Sequence, residues 1–201
     1  MSSPYTAYLT AAVQAARLAG AFLREHFYSI KLVDEALAHD IKLRLDKESQ
    51  QLIAGHLLAA FPESSILGEE GNAGSEAAGY QWIVDPIDGT VNYFYGIPIF
   101  CVSIALQHRG ELVLGCVYDP MQQECFTAVA GGQPLLNGRP ISVSTRAQMR
   151  EAVVFIGHGT HDGSGETGIL AEEGRGLLHR QPEAAGLRPE RLLQARSFRA
   201  F

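Results

Sequence analysis

Two aspartates and a glycine-threonine pair follow an apolar segment near the middle of the chain. Residues 82–84 are Trp-Ile-Val, which is typical of a buried strand, and Asp85 and Asp88 follow directly, separated by a proline and an isoleucine. Gly89 and Thr90 then begin what the pattern predicts to be a short helix. Carboxylates at a strand end, followed by a helix N-terminus, can bind hard cations and a phosphate together. The segment therefore predicts metal-assisted phosphate chemistry.

Two further acids, Asp46 and Glu69, precede this segment. Glu69 ends a short apolar strand, as Asp85 ends the next one. Carboxylates at the ends of adjacent strands can converge, and their like charges then repel unless a cation lies between them. Magnesium suits an all-oxygen ligand set of this kind, and the backbone carbonyl of Ile87 is a further candidate ligand.

The Gly89-Thr90 pair has two interpretations. In the functional one, Gly89 lets a phosphate approach the main chain closely, and the Thr90 hydroxyl orients a water molecule. In the structural one, Asp88-Gly-Thr is an Asx-type turn that caps the following helix and does nothing else. The spacing alone leaves both interpretations open.

The elements that carry these residues follow from the hydrophobic periodicity. Apolar residues at steps of three and four predict one helix over 5–28 and another over 46–60, with Ser49, Leu52, Ile53, Leu57 and Ala60 facing inward. Residues 31–45 are mixed, and the alternation of polar and apolar residues over 40–46 favours an extended segment. The later elements are a loop over 71–79, strands over 99–107, 111–118, 124–129 and 151–156, and turns at Arg109-Gly110 and Asn137-Gly138. The short Arg109-Gly110 link requires antiparallel neighbours, so the order predicts an α+β fold with two helices on an antiparallel sheet.

Composition limits the class of protein. The 201 residues are 46% hydrophobic and 19% charged, with a formal net charge of −6, as expected for a soluble globular chain. An acidic balance disfavours a nucleic-acid partner, and no apolar run approaches the length of a membrane span. No secretory signal pattern begins the chain, and the three cysteines show no C-x-x-C spacing. We expect buried free thiols and a cytoplasmic protein.

The composition changes near residue 157. Residues 157–197 contain no aromatic residue and no valine, cysteine, methionine or lysine. We therefore expect one domain over 1–156. Over 157–201 we expect an incomplete or aberrant start of a second domain, for which a disordered tail is the alternative. His158 and His161 could be a metal pair or two solvent-exposed side chains, and the arginines after 174 could bind anions or belong to a solvated tail.

The chain resembles the inositol monophosphatase family of magnesium-dependent, lithium-sensitive sugar and inositol phosphate phosphatases. The resemblance rests on Asp-Pro-Ile-Asp-Gly-Thr at 85–90 preceded by Trp-Ile-Val, and on Gly-Glu-Glu at 68–70. The segments 96–98, 101–106, 115–120 and 136–141 also fit, so the resemblance extends over residues 5–156. It implies a layered α/β sandwich, like the N-terminal domain of the inositol monophosphatase and fructose-1,6-bisphosphatase fold, with the C-terminal domain incomplete.

The resemblance also implies roles for the acids. Glu69 and Asp85, with the Ile87 carbonyl, would hold one Mg²⁺, and Asp85 and Asp88 would hold a second. Glu70 would lie just outside these ligands. Gly89 and Thr90 would contact the phosphate. Asp46 would hydrogen-bond Thr90, and this pair would help to activate the water that attacks phosphorus in line. Glu69 would also belong to the catalytic residues.

The family's Trp-Asp motif, which completes the second metal site, has no counterpart because Trp82 is the only tryptophan. A truncated or frame-shifted gene product and a naturally short variant are the two explanations, of which we favour the first. The leading hypothesis is magnesium-dependent hydrolysis of a small phosphate monoester, impaired in this short chain. The alternatives are a catalytically silent metal- or phosphate-binding fragment, for which a homodimer is possible, and a chain that does not fold stably.

Overall fold

The structure, a computed structural model, describes residues 3–30, 33–36, 41–75, 79–145 and 148; for 33–36 and 41–42 it describes the backbone alone. The predicted strand 151–156, the domain 157–201, the histidines His158 and His161 and the arginines after 174 lie outside these residues. By internal contacts the chain divides into Met1–Ile141 and Ser142–Phe201, and the first unit is described below by itself. Within the described part of the chain, no helix combines the length and the apolar character that crossing a membrane needs.

Helix α1 runs over Thr6–His26 and confirms the helix predicted over 5–28. Its buried face is made almost entirely of small side chains. Alanine and glycine allow the helix axis to approach the sheet closely, so that the backbone itself packs against β-strand side chains. The buried members are Ala11, Ala12, Ala15, Ala16, Ala19, Gly20 and Leu23.

Helix α2 runs over Arg44–Ala60 and confirms the second predicted helix. Ser49, Ile53 and Leu57 are buried as expected, but the inward assignment of Leu52 and Ala60 is wrong, since both are exposed. Leu52 lies roughly a third of a turn from the buried stripe. Ala60 is the last helical residue.

The strands form one small sheet and one large sheet. Strands β1 (Val33–Ala36) and β2 (Ile41–Leu43) pair antiparallel. Strand β2 confirms part of the extended segment predicted over 40–46, which ends earlier because α2 begins at Arg44. The large sheet has the order β10-β9-β8-β7-β6-β5-β3-β4. Its strands are β3 Ser65–Gly68, β4 Gly71–Gly74, β5 Tyr80–Asp88, β6 Cys101–His108, β7 Glu111–Asp119, β8 Glu124–Val129, β9 Leu135–Leu136 and β10 Arg139–Pro140.

This arrangement confirms the α+β class, and two details differ from the prediction. The sheet is mixed, because β3 and β5 are parallel while the other neighbours are antiparallel. Residues 71–74, expected as a loop, form edge strand β4 on β3. Its composition of two glycines, asparagine and alanine has low strand propensity, so pairing with β3 and not local preference makes it a strand. Arg109-Gly110 and Asn137-Gly138 are turns as predicted.

The core lies between the two long helices and one face of the large sheet. Trp82, Val84, Ile104 and Leu106 are almost wholly buried there. Trp82 is fixed further by its indole N–H, which donates to Ser64 Oγ at 3.1 Å. The strand that leads to Asp85 is therefore anchored on its helix-facing side before it reaches the acids.

Gly20 and Gly55 give a matched test of this packing. A Cβ at Gly20 would lie 2.6 Å from the ring of Tyr118, whereas a Cβ at Gly55 would meet nothing within 4 Å. We expect Gly20→Ala to lower the free energy of unfolding by about 1–3 kcal/mol through overpacking. Gly55→Ala should raise it by about 0.5–1 kcal/mol because alanine is the better helix former. Urea unfolding measures both, and a stabilising Gly20→Ala would contradict the packing of α1 on β7.

Candidate metal and phosphate site

Strand β5 contains a bulge between its two aspartates. Asp85 is paired with Ser103 of β6, and Asp88 is paired with Cys101, so three steps along β5 match two along β6. Pro86 lies inside the bulge and has no N–H to donate to a neighbouring strand. The bulge therefore places the residue that cannot donate a hydrogen bond outside the regular pairing, and β5 continues beside β6.

The bulge places both aspartates on one side of the sheet. In a regular strand, residues three apart point to opposite faces. Here Asp85 and Asp88 oppose Ser103 and Cys101, which are two apart on β6 and therefore share a face. The sequence motif alone could not show that both side chains lie on one face, because this depends on how β5 pairs with β6.

Glu69 lies beside Asp85 at the end of the neighbouring parallel strand. Gly68 is paired with Val84, and the Glu69 N–H donates to the Val84 carbonyl at 3.2 Å. Glu69 therefore occupies the position next to Asp85, as the sequence predicted. Its side chain is exposed and that of Glu70 is partly buried, while the Oδ1 atom of Asp85 is buried.

The turn that carries Glu69 is fixed by Gln50 of α2. Gln50 Oε1 accepts the Glu70 N–H at 2.9 Å, and Gln50 Nε2 donates to the Gly71 carbonyl at 2.8 Å. A Cβ at Gly68 would overlap the Gln50 carboxamide, so a side chain there would displace Gln50 from these two hydrogen bonds. Gln50 was not among the site residues predicted from the sequence. Its spacing of four residues after Asp46 on a helix was the signal that could have identified it.

Gly89 and Thr90 lie where the strand becomes a helix. Helix α3, Thr90–Phe94, begins as predicted but has only five residues. Gly89 has φ of +95°, and a Cβ there would lie 3.1 Å from the Ile99 carbonyl, so both conformation and space favour glycine. The Thr90 hydroxyl donates to the Ile87 carbonyl at 2.8 Å. This bond occupies one lone pair of the predicted ligand oxygen, and a carbonyl has two.

Asp46 is buried at the start of α2. Its Oδ2 accepts the Leu43 N–H at 2.8 Å and so caps the helix. The phenol of Tyr93, on α3, has a raised pKa, caused first by burial and then by the negative charge of Asp46. Asp46 therefore lies close to the helix that Thr90 begins. Its predicted hydrogen bond to Thr90 stays a prediction.

Cys101 is a second residue that the sequence analysis missed. Its Sγ lies 3.7 Å from Asp88 Oδ2, as a thiol donating to a carboxylate. Burial, and then the charges of Asp88 and Asp85, raise the pKa of this thiol, which keeps it protonated. The two aspartates therefore both act on one partly buried group, as expected if they share one side of the sheet.

The structure thus brings Glu69, Asp85 and Asp88 together at the ends of the neighbouring strands β3 and β5. Gly89 and Thr90 follow Asp88 directly. Within the described ranges, no three His, Cys, Asp or Glu side chains are grouped closely enough to hold a metal ion. The metal, phosphate and catalytic roles of these residues stay predictions. Carboxylate and carbonyl oxygens are the kind of donors that Mg²⁺ prefers, so the residues fit that ion by their chemistry.

Comparison with known proteins identifies the family to which this α+β domain belongs. The sequence profile of the inositol monophosphatase family matches residues 5–185. The chain belongs to the inositol monophosphatase family. The match continues beyond residue 156, where the recognisable motifs end.

Individual relatives agree with this assignment. "Inositol monophosphatase 3" of Solanum lycopersicum is 38% identical over 161 residues, which is 77% of this chain and 59% of the relative. "Inositol-1-monophosphatase" of Rhizobium meliloti is 38% identical over 188 residues, 91% of this chain and 68% of the relative. The solved structure of the IMPase of Thermotoga maritima is 34% identical, with a TM-score of 0.64, over 70% of this chain and 55% of that one.

The role of Gln50 can be tested through the Glu70 amide. Gln50→Leu removes the acceptor of that N–H, and we expect its hydrogen exchange to accelerate by about tenfold, the worth of one ordinary hydrogen bond. Gln51→Leu is the matched control, because Gln51 is exposed on the same helix. Exchange measured by NMR that stays unchanged in Gln50→Leu would show that the turn does not depend on this side chain.

Proposed function

We propose that the chain carries the metal- and phosphate-binding part of a magnesium-dependent phosphomonoester hydrolase of the inositol monophosphatase type. The observation that carries this proposal is the bulge at Pro86, which puts Asp85 and Asp88 on one side of the sheet beside Glu69. Membership of the family, and relatives named as inositol monophosphatases, support it. The substrate class would be small phosphate monoesters.

The metal ligands we propose are those that the resemblance implies. Glu69, Asp85 and the Ile87 carbonyl would hold one Mg²⁺, and Asp88 with Asp85 would hold a second, while Glu70 would lie outside them. Such ions supply positive charge for the phosphate and lower the pKa of water. The contribution of the chain is to hold acids together that would otherwise repel.

The remaining residues would position the phosphate and the water. The left-handed backbone at Gly89 leaves no side chain between the main chain and a bound phosphate. Asp46 would hydrogen-bond Thr90, and this pair would help to deprotonate the attacking water. Their closeness is supported by the effect of Asp46 on Tyr93 in the helix that begins at Thr90.

The setting we propose is cytoplasmic. The three cysteines are free thiols, two of them buried, which suits a reducing compartment.

The chain spans 59% of the length of the tomato relative. We also propose that the substrate is a small phosphate ester, that the chain forms a homodimer and that the first domain ends at residue 156.

Magnesium titration and phosphate release together test the proposal. The protein should bind Mg²⁺ by calorimetry and release phosphate from inositol monophosphate only with Mg²⁺ present. Asp85→Asn removes the carboxylate that both ions would share and should weaken metal binding by at least about 10–100-fold, the loss that mutation of an outer-shell partner already causes. The matched control is Glu111→Gln, an exposed acid at the opposite end of the sheet, which should change neither property.

The outcomes separate the alternatives. Magnesium binding that needs Asp85, without phosphate release, would support the silent metal-binding chain in place of the hydrolase. Release that persists with a chelator and in Asp85→Asn would contradict the proposed mechanism. Absence of both binding and release in a protein with a cooperative urea transition would contradict the metal site altogether.

A further inference from the structure

Two cysteines on neighbouring strands form a buried pair away from the carboxylates. Cys116 of β7 is fully buried and Cys125 of β8 is 3% exposed. In the register, Cys116 opposes Thr127 and Cys125 opposes Tyr118, so the two cysteines are diagonal neighbours on the same face. Their Sγ atoms are 3.8 Å apart, which is hydrogen-bond distance for two thiols.

The two thiols differ in their access to solvent. A cleft of about 380 Å³ lies between α1 and β8, and Cys125 lines it together with Val13, Arg17, Thr127 and Asn137. Cys116 is not in that lining. A small molecule that enters the cleft would therefore meet Cys125 first.

The two thiols also differ in acidity. The contact with Cys116 is the first cause that lowers the pKa of Cys125; burial opposes this and the nearby Arg17 guanidinium adds to it. The same contact, together with burial, raises the pKa of Cys116. The thiolate is the reactive form of cysteine and Cys125 is the thiol that lines the cleft, so Cys125 is the residue that meets an oxidant as a nucleophile and Cys116 is its partner.

From this geometry we propose that Cys125 is a site of oxidation by hydrogen peroxide and related small hydroperoxides, and that Cys116 resolves the product as a disulfide. This proposal is independent of the proposed phosphatase activity. The structural alternative is a pair of thiols that only fill space between α1 and the sheet, as free buried cysteines commonly do.

The proposed reaction is balanced in two steps. The Cys125 thiolate attacks one peroxide oxygen, the O–O bond breaks, and Cys125 becomes a sulfenic acid while the other oxygen leaves as hydroxide and takes up a proton to form water. The Cys116 sulfur then attacks the Cys125 sulfur, the S–O bond breaks, and the hydroxyl leaves with the Cys116 proton as water. Two thiols are oxidised and one peroxide is reduced. The sulfurs must close from 3.8 Å to a bond of about 2.05 Å. Diagonal neighbours have Cα atoms about 7–8 Å apart, so strands β7 and β8 must also shift toward each other locally for the bond to form.

A glutamate-specific protease makes the products distinguishable. Cleavage after Glu111 and Glu124 places Cys101, Cys116 and Cys125 in three different peptides. The folded protein is treated with hydrogen peroxide, remaining thiols are alkylated, and the digest is examined by mass spectrometry without reduction. We expect the Cys116 and Cys125 peptides to be joined, and Cys101, although more exposed, to be oxidised about tenfold more slowly, because it lacks thiolate character.

Variants separate the two roles. In Cys116→Ser, a sulfenic acid should persist on Cys125 and be trapped by dimedone, and in Cys125→Ser, Cys116 should stay reduced. Arg17→Gln should slow oxidation of Cys125 several-fold. Arg24→Gln, an exposed arginine on the same helix, is the matched control and should leave the rate unchanged.

Peroxide treatment of the wild-type protein tests the proposal even where a variant fails to fold. Peroxide treatment that leaves the Cys116 and Cys125 peptides separate and fully alkylated would overturn it. Oxidation of Cys101 at the same rate as Cys125 in the folded protein would also overturn it. The same treatment in denaturant should abolish the preference for Cys125, and a preference that persists there would show that the fold is not its cause.

Discussion

The site depends on how strand β5 ends. This strand must bury Trp82 and Val84 against the helices and still deliver two like-charged side chains to one place. The bulge at Pro86 meets both demands, because it inserts one residue between Asp85 and Asp88 and so restores them to the same face. The parallel pairing with β3 then adds Glu69 beside Asp85. Without the bulge, one of the two aspartates would point toward the core, where an unpaired charge is costly.

Helix α2 supports this edge of the sheet from two positions one turn apart. Asp46 caps the helix and lies close to α3, and Gln50 holds the turn that carries Glu69. A single rigid element therefore relates the proposed water-activating residue to the proposed metal ligands. Helix α1, with its small buried side chains, supports the same sheet from the same face and forms the cleft beside Cys125. The helix-facing side of the large sheet thus forms the core, and the proposed redox pair, Cys116 and Cys125, lies on that side.

Most of the helices and strands could be predicted from the sequence. The period of α1, the Arg109-Gly110 turn and the strand before Asp85 depend on local patterns, and the structure confirms them. Strand β4 was missed because it depends on pairing with β3 and not on its own composition. Leu52 was misplaced because a single apolar residue does not define where the buried stripe lies. Gln50 and Cys101 were missed because their partners, the Glu70 amide and Asp88, are distant in sequence.

The central claim is that the strand ends at Asp85, Asp88 and Glu69 form one divalent-cation site. Manganese can replace magnesium as a paramagnetic probe, and it broadens the NMR signals of nearby amides. Low manganese concentrations should first broaden the amides of Glu70, Gly89 and Thr90. The amide of Gly110, in the turn at the opposite end of β6, should keep its intensity. Broadening centred elsewhere, or spread evenly over the surface acids, would contradict the account.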